Sequence, residues 1–154
     1  MRTNHYTLKV KHRNLDPLFS SKSDHWSTPA ATYDALNAEF GFTFDPCLLM
    51  AQEDGRKVKW TGRVFCNPPY SRIIEFLKKG LYHLAVGDCE LLVYLIPART
   101  DTAWFHDYCA KGEIRFLRGR LKFGGAKYNA PFPSMVVVFR EWQLERSQIT
   151  GKTD

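Results

Sequence analysis

The stretch Arg63-Val64-Phe65-Cys66-Asn67-Pro68-Pro69-Tyr70-Ser71 decides how the chain is read. Arg63 to Cys66 reads as a short strand, and Asn67-Pro68-Pro69-Tyr70 cuts it off. Ser71 can cap a helix running from Arg72 to about Val86, where Ile73, Ile74, Phe76, Leu77, Leu81 and Leu84 recur at helical intervals. Strand, stiff polar turn and amphipathic helix make one unit of an α/β sheet. The turn falls at the carboxyl end of the strand, the edge where open α/β sheets bind ligands. Pro68 and Pro69 fix two φ angles and remove two N–H donors, leaving outward-facing carbonyls. The Asn67 carboxamide oxygen and a neighbouring backbone carbonyl can both accept hydrogen bonds from one –NH2 group, while Tyr70 can stack on the planar ring that carries it. Such a grip aims the amino nitrogen's lone pair at an electrophilic methyl, with catalysis supplied by positioning and electrostatics. Pro-Pro pairs also make plain stiff turns. The strand before and the helix after favour a site.

Working outward, Glu90 to Pro97 is a nearly continuous apolar run without alternation, which suits a central strand covered on both faces. Upstream, Phe42-Thr43-Phe44-Asp45 reads as a buried strand ending in a carboxylate and broken by Pro46. Before it, Trp26-Ser27-Thr28-Pro29 introduces a helix from Ala30 to Phe40, with Ser27 or Thr28 as cap, Pro29 in the first turn and Gly41 as stop. Downstream, Asp101 can cap a short helix holding Trp104, Phe105, Tyr108 and Cys109. Ile114 to Leu117, Leu121 to Phe123 and Met135 to Phe139 read as closing strands, with a Gly- and Pro-containing loop from Gly124 to Pro133. Strands alternating with helices and then closing strands give an α/β domain with a mainly parallel sheet.

The 154 residues suit one domain able to bury a core, and a formal charge of +6 makes polyanions candidate partners. The polar start Met1-Arg2-Thr3-Asn4-His5-Tyr6 lacks a signal-peptide core, and no run approaches a membrane span, so a cytoplasmic protein without membrane association is expected. Cys47, Cys66, Cys89 and Cys109 show no C-x-x-C spacing. His106 and Cys109 could share a helix face, but two ligands do not make a zinc site, so no metal is expected.

Asn67-Pro68-Pro69-Tyr70 resembles the catalytic motif of S-adenosylmethionine-dependent amino-methyltransferases. The ordered blocks Trp26 to Pro29, Phe44 to Cys47, Phe65 to Ser71, Pro97 to Asp101 with Trp104-Phe105-His106, and Arg118 to Phe123 resemble the small phage-type DNA N-6-adenine methyltransferases, often called Dam-like. The resemblance implies a reduced Rossmann-like methyltransferase fold: a mainly parallel sheet with a closing antiparallel hairpin. It implies a methyltransferase domain over 25–141, between a segment over 1–24 that the residues themselves mark as a basic arm (Lys9, Lys11, Arg13, Lys22) and a polar tail over 142–154. Asn67, Pro68, Pro69 and Tyr70 would hold the target amino group and its ring. Asp45, Pro46 and Cys47 would sit at the cofactor-binding end of the first strand, and Trp26, Thr28 and Pro29 against the methionine portion of S-adenosylmethionine. Leu48-Leu49-Met50 stands where such enzymes carry a glycine-rich turn, and no glycine follows until Gly55. The ribose hydroxyls would fall to Glu53 or Asp54.

On the nucleic-acid side, Arg115, Arg118, Arg120 and Lys122 alternate with Phe116, Leu117, Leu121 and Phe123, giving a cationic hairpin face, with Lys127 in the loop after it. Arg72 and Arg99 lie just past strand ends. Together Arg72, Arg99, Arg118, Arg120, Lys122 and Lys127 are the expected contacts to double-stranded DNA phosphates, with the protein acting as monomer or homodimer. Methylation of another planar nitrogen (cytosine, an RNA base or a protein glutamine) and a non-catalytic nucleic-acid-binding role are the competing readings.

Overall fold

Leu91 to Ile96 are all buried, with Leu92, Tyr94 and Ile96 facing one cluster and Leu91, Val93 and Leu95 the other. That two-sided burial is why the segment shows no alternation. It forms β2 (Cys89–Pro97), the inner partner of β1 (Gly62–Cys66) in a four-stranded sheet. The computed structural model describes residues 26–48, 53–124 and 126–141. The expected arm over 1–24, the tail over 142–154, and Leu49 and Met50 lie outside the described residues.

The sheet order is β1-β2-β4-β3, with β3 spanning Glu113–Phe116 and β4 spanning Ser134–Arg140. β1 and β2 run parallel, with Cys66 opposite Tyr94. β4 lies between β2 and β3 and is antiparallel to both. Placing the reversed strand inside makes the sheet mixed rather than mainly parallel. Ladder hydrogen bonds depend on which strands are neighbours, and β4 supplies two antiparallel ladders at once.

Two expected strands are reduced. Phe44 makes an isolated parallel bridge to Val64, with Thr43 and Phe44 N–H both donating to the Arg63 carbonyl and Phe65 N–H donating back to Phe44. Pro46, in the turn that follows, has no N–H to extend the ladder. Leu121 to Phe123 form no strand. Their backbone bonds to other loops instead: the Leu121 carbonyl accepts from Ala130 N–H at 2.7 Å, and Gly124 N–H donates to Ser27 at 2.9 Å. The hairpin partners β3 and β4 are therefore joined by an irregular connection, 117–133.

The helices pack on opposite faces. α2 (Ile73–Ala85) follows a 3-10 turn over Tyr70–Arg72 and buries Ile73, Phe76, Leu77 and Leu84 with Trp60, Tyr94 and Phe139. Ser71 lies inside that turn rather than capping it. α1 (Ala30–Phe40) starts at Pro29, without the side-chain cap expected of Ser27 or Thr28. It ends at Gly41, whose φ of 61° is the left-handed stop a glycine accepts without strain. Phe40, Tyr33 and Leu36 of α1 join Phe65 and Val93 on the other face. In α3 (Ala103–Asp107) the cap is Thr102, not Asp101: its hydroxyl accepts from Phe105 N–H. No helix among the described residues is long and apolar enough to cross a membrane.

Gly80 gives a sharp test of the α2 face. In an exposed helix Gly→Ala is stabilising by about 1 kcal/mol. Here a Cβ would collide with the Tyr94 hydroxyl and sit 2.7 Å from Trp60 Cζ3. Gly80→Ala is predicted to lower the melting temperature by roughly 5 °C or more, since overpacking outweighs propensity. A midpoint at or above wild type would overturn this account of the packing.

Candidate active site

Pro68 and Pro69 are buried directly beyond β1, which fixes Asn67 at the carboxyl end of that strand. The Asn67 carboxamide is held from a distant part of the chain. Its Nδ2 donates to the Trp26 carbonyl at 2.5 Å and to Thr28 Oγ1 at 3.1 Å. Its Oδ1 is buried and has no hydrogen-bond partner among the described residues. Buried polar atoms are nearly always paired, so an unmet acceptor beside a satisfied donor marks a place for an incoming N–H.

Tyr70 opens the next turn, and its hydroxyl is likewise buried and unpartnered. Burial pushes the phenol well above its ordinary value, so it stays neutral. The Tyr70 ring meets Phe132 edge-on at 5.3 Å and Phe123 at 6.4 Å. Trp26 packs on the same two rings, at 5.3 Å from Phe123 and 6.2 Å from Phe132. Four aromatic rings thus wall this end of the sheet.

Asp45 reaches the same edge through sulfur contact. Cys47 Sγ lies 3.6 Å from Cys66 Sγ, so the turn after Asp45 rests against the residue before Asn67. Asp45 Oδ1 accepts from Cys47 N–H at 2.8 Å. Burial raises the Asp45 carboxyl from 3.8 to about 6; that one N–H pulls it down, and no cation among the described residues contributes. Pro46 is buried, and a Cβ on Gly55 would run into its carbonyl. Gly55 therefore supplies the close backbone approach beside this turn, although it comes nine residues after Pro46. Asp54, a candidate for ribose, is held by Arg56 and lowered to about 2 by that hydrogen-bonded pair. Glu53 is exposed.

The expected phosphate contacts are scattered around this edge. Arg72 ends the 3-10 turn, exposed and 3.7 Å from Glu75, and Arg99 is exposed just beyond β2. Arg118, Arg120, Lys122 and Lys127 are exposed on the 117–133 connection, with Arg120 donating to the Pro131 carbonyl and Lys127 over the Tyr128 ring. Because Leu121 to Phe123 form no strand, these cations share no sheet face. Arg115 is withdrawn from them altogether: it forks onto Glu39 at 2.8 Å and also binds Glu113. A cleft of about 710 Å³ lies at the other end of the sheet, lined by Glu39, Phe40, Arg63, Glu90, Leu91, Arg140 and Glu141.

A family model described as DNA N-6-adenine-methyltransferase (Dam) matches residues 17–154. The chain belongs to that family. A DNA N-6-adenine-methyltransferase of Escherichia phage T1 is 30% identical over 95 residues, covering 53% of this chain and 39% of the relative. The chain thus spans about two fifths of the curated relative it matches. No solved structure matches it.

Sequence reasoning passed over Phe123 and Phe132 as parts of the site, and also the buried, unpartnered Ser134 hydroxyl at the start of β4. Phe132 stands between Pro131 and Pro133, a signal of a rigidly held ring. Nothing local in the sequence points to its partners.

The Asp45 carboxyl predicts a pH signature. The folded state binds this proton more tightly than the unfolded chain, so the group's contribution to stability is complete below about 4 and is lost as pH rises through about 6. Asp45→Asn keeps the acceptor for Cys47 N–H but cannot ionise. Urea unfolding should give nearly equal stabilities for the two proteins below about pH 3 and a variant more stable by about 2–3 kcal/mol at pH 7. A pH-independent difference would refute the burial of this charge.

Proposed function

We propose that the chain transfers a methyl group from S-adenosylmethionine to the exocyclic amino group of adenine in DNA. The observation that carries this reading is the Asn67 amide, with both donors engaged and its oxygen unmet. An adenine –NH2 donating to that oxygen is fixed with its lone pair toward the methyl donor. Pro68 stiffens the approach, and Pro69 keeps Tyr70 against the aromatic wall. Tyr70 acts as a neutral phenol and a ring surface for the base, not as a proton acceptor. Sequestering the base among Trp26, Tyr70, Phe123 and Phe132 excludes water from the transfer.

S-adenosylmethionine fits the residues present. It supplies an already activated methyl group on a cationic sulfur. Asp45 is a partly buried carboxylate with no cation beside it among the described residues, so a positively charged ligand would relieve the cost of its ionisation. Pro46 and Cys47 shape the turn around it, and Trp26 and Pro29 border the same edge. The parallel pair β1–β2, with Asp45 and Asn67 brought together at its carboxyl end, supports a reduced Rossmann-like methyltransferase fold within the domain over 25–141. Arg72, Arg99, Arg118, Arg120, Lys122 and Lys127 would meet double-stranded DNA, whose adenine must leave the stack to reach Asn67. The setting is the cytoplasm, with monomer or homodimer as the acting form.

Incubating the protein with methyl-labelled S-adenosylmethionine and DNA, RNA or protein tests the substrate class. Label should appear in DNA, as N6-methyladenine after digestion. Asn67→Ala is predicted to lower turnover by about a hundredfold or more while circular dichroism and melting stay unchanged; equal turnover would remove Asn67 from the chemistry. For the DNA surface, Arg118→Ala combined with Arg120→Ala should weaken binding and reduce the slope of log affinity against log salt by about 2. An unaltered slope would take both arginines off the phosphates.

A further inference from the structure

A carboxamide can sit in its slot in two orientations, related by a half-turn that exchanges oxygen for NH2. For Asn67 the two are chemically opposite. With the oxygen toward the pocket, the side chain accepts from an amino group; with the NH2 there, two donors face each other and the amino group is repelled. The Trp26 carbonyl decides between them, and the Thr28 hydroxyl holds the amide in the orientation so chosen. The Trp26 carbonyl can only accept, so the atom it meets is Nδ2, and the Thr28 hydroxyl, 3.1 Å from that nitrogen, accepts a second bond that keeps the amide from turning. A flipped amide would set oxygen against the Trp26 carbonyl and strand its own donors.

We propose that Thr28 is a positioning residue that holds the Asn67 amide oxygen-outward for the target amino group. The inference rests on the reading of Asn67 as the group that grips that amine, and it gives Thr28 a different task from contact with the cofactor. Of the two acceptors, Thr28 is the one a substitution can remove, because the other is backbone. The segment carrying both is pinned from its opposite edge. Between them in sequence, the Ser27 carbonyl accepts from Gly124 N–H at 2.9 Å. Gly124 permits that approach, since a Cβ there would stand 3.1 Å from Ser27 Cβ. Residues 26–28 thus form a strap with alternating attachments: Trp26 and Thr28 to the Asn67 amide, Ser27 to the connection that bears Arg118, Arg120, Lys122 and Lys127.

The test uses the full chain with Thr28→Val, which keeps the shape and loses the acceptor, and Thr28→Ser, which keeps the acceptor. The Asn67 side-chain NH2 signals in a 15N–1H spectrum are identified by their loss in Asn67→Asp. In Thr28→Val they should shift and exchange faster with solvent, and Thr28→Ser should restore them. Turnover of Thr28→Val should fall roughly tenfold, the effect of one lost hydrogen bond. Dissociation constants for S-adenosylmethionine and DNA should stay within about twofold of wild type, because the lost bond joins two protein groups and touches neither ligand. Unmoved Asn67 signals in Thr28→Val would overturn the proposal. So would a loss expressed in S-adenosylmethionine affinity with turnover intact, which would make Thr28 a cofactor contact. If wild-type protein labels no DNA, the methyltransferase reading falls, and the Asn67 signals still decide whether Thr28 orients the amide.

Discussion

The hydrogen bonds from Asn67 Nδ2 to Trp26 and Thr28 join parts of the chain 41 and 39 residues apart, and the arrangement of the site depends on them. They draw the segment before α1 across the end of β1. The Trp26 ring is then placed against Phe123 and Phe132, and Tyr70 closes on the same pair. The aromatic wall and the polar grip are consequently one construction. Loop-closure entropy grows only slowly with length, so a contact across some forty residues is affordable when it also buries large rings.

The site keeps several groups in states that folding alone would not choose. Asn67 Oδ1, the Tyr70 hydroxyl and the Ser134 hydroxyl are buried without partners, and the Asp45 carboxyl is raised by burial. Each costs stability in the free protein. Elsewhere among the described residues, polar groups are matched: Arg115 with Glu39 and Glu113, Arg140 with Glu113, Arg56 with Asp54 and Glu75, His83 with Asp88. Unmet polar atoms concentrated at one edge of an otherwise satisfied molecule indicate where ligands complete the structure.

What the sequence disclosed was whatever a local pattern can encode. The unbroken apolar run of β2 betrayed two-sided burial, the heptad-like spacing of Ile73 to Leu84 betrayed α2, and Asn67 to Tyr70 betrayed a stiff turn at a strand end. What it concealed was the identity of distant partners. Arg115 looked like one of a row of cations, yet its guanidinium is taken by Glu39, 76 positions away. Leu121 to Phe123 carry a strand-like pattern, but their backbone is claimed by Ala130 and, through Gly124, by Ser27. Phe42 to Asp45 has the composition of a strand and only one bridge, because Pro46 cuts the ladder short. Thr28 looked like a helix cap; its hydroxyl is spent on an amide that periodicity could not have located.

The cleft lined by Arg63 and Arg140 and the unmatched polar atoms lie at different ends of the sheet, and the unmatched atoms are the better guide to a ligand. The cleft of about 710 Å³ lies by the amino ends of β1 and β2. Its arginines are engaged: Arg63 with the Phe40 carbonyl and Glu90, Arg140 with Glu113 and over the Phe40 ring. A ligand entering there would have to displace pairs that already satisfy one another. At the opposite edge, among the described residues, an amide oxygen and two hydroxyls have no hydrogen-bond partner, and no cation stands beside the Asp45 carboxyl. Because Asn67 Oδ1 is shielded from solvent, the proposed base would reach it only when covering atoms give way. In the proposed reaction, desolvation of that kind would let one oriented amide act strongly on an amino group, since water would not compete for either partner.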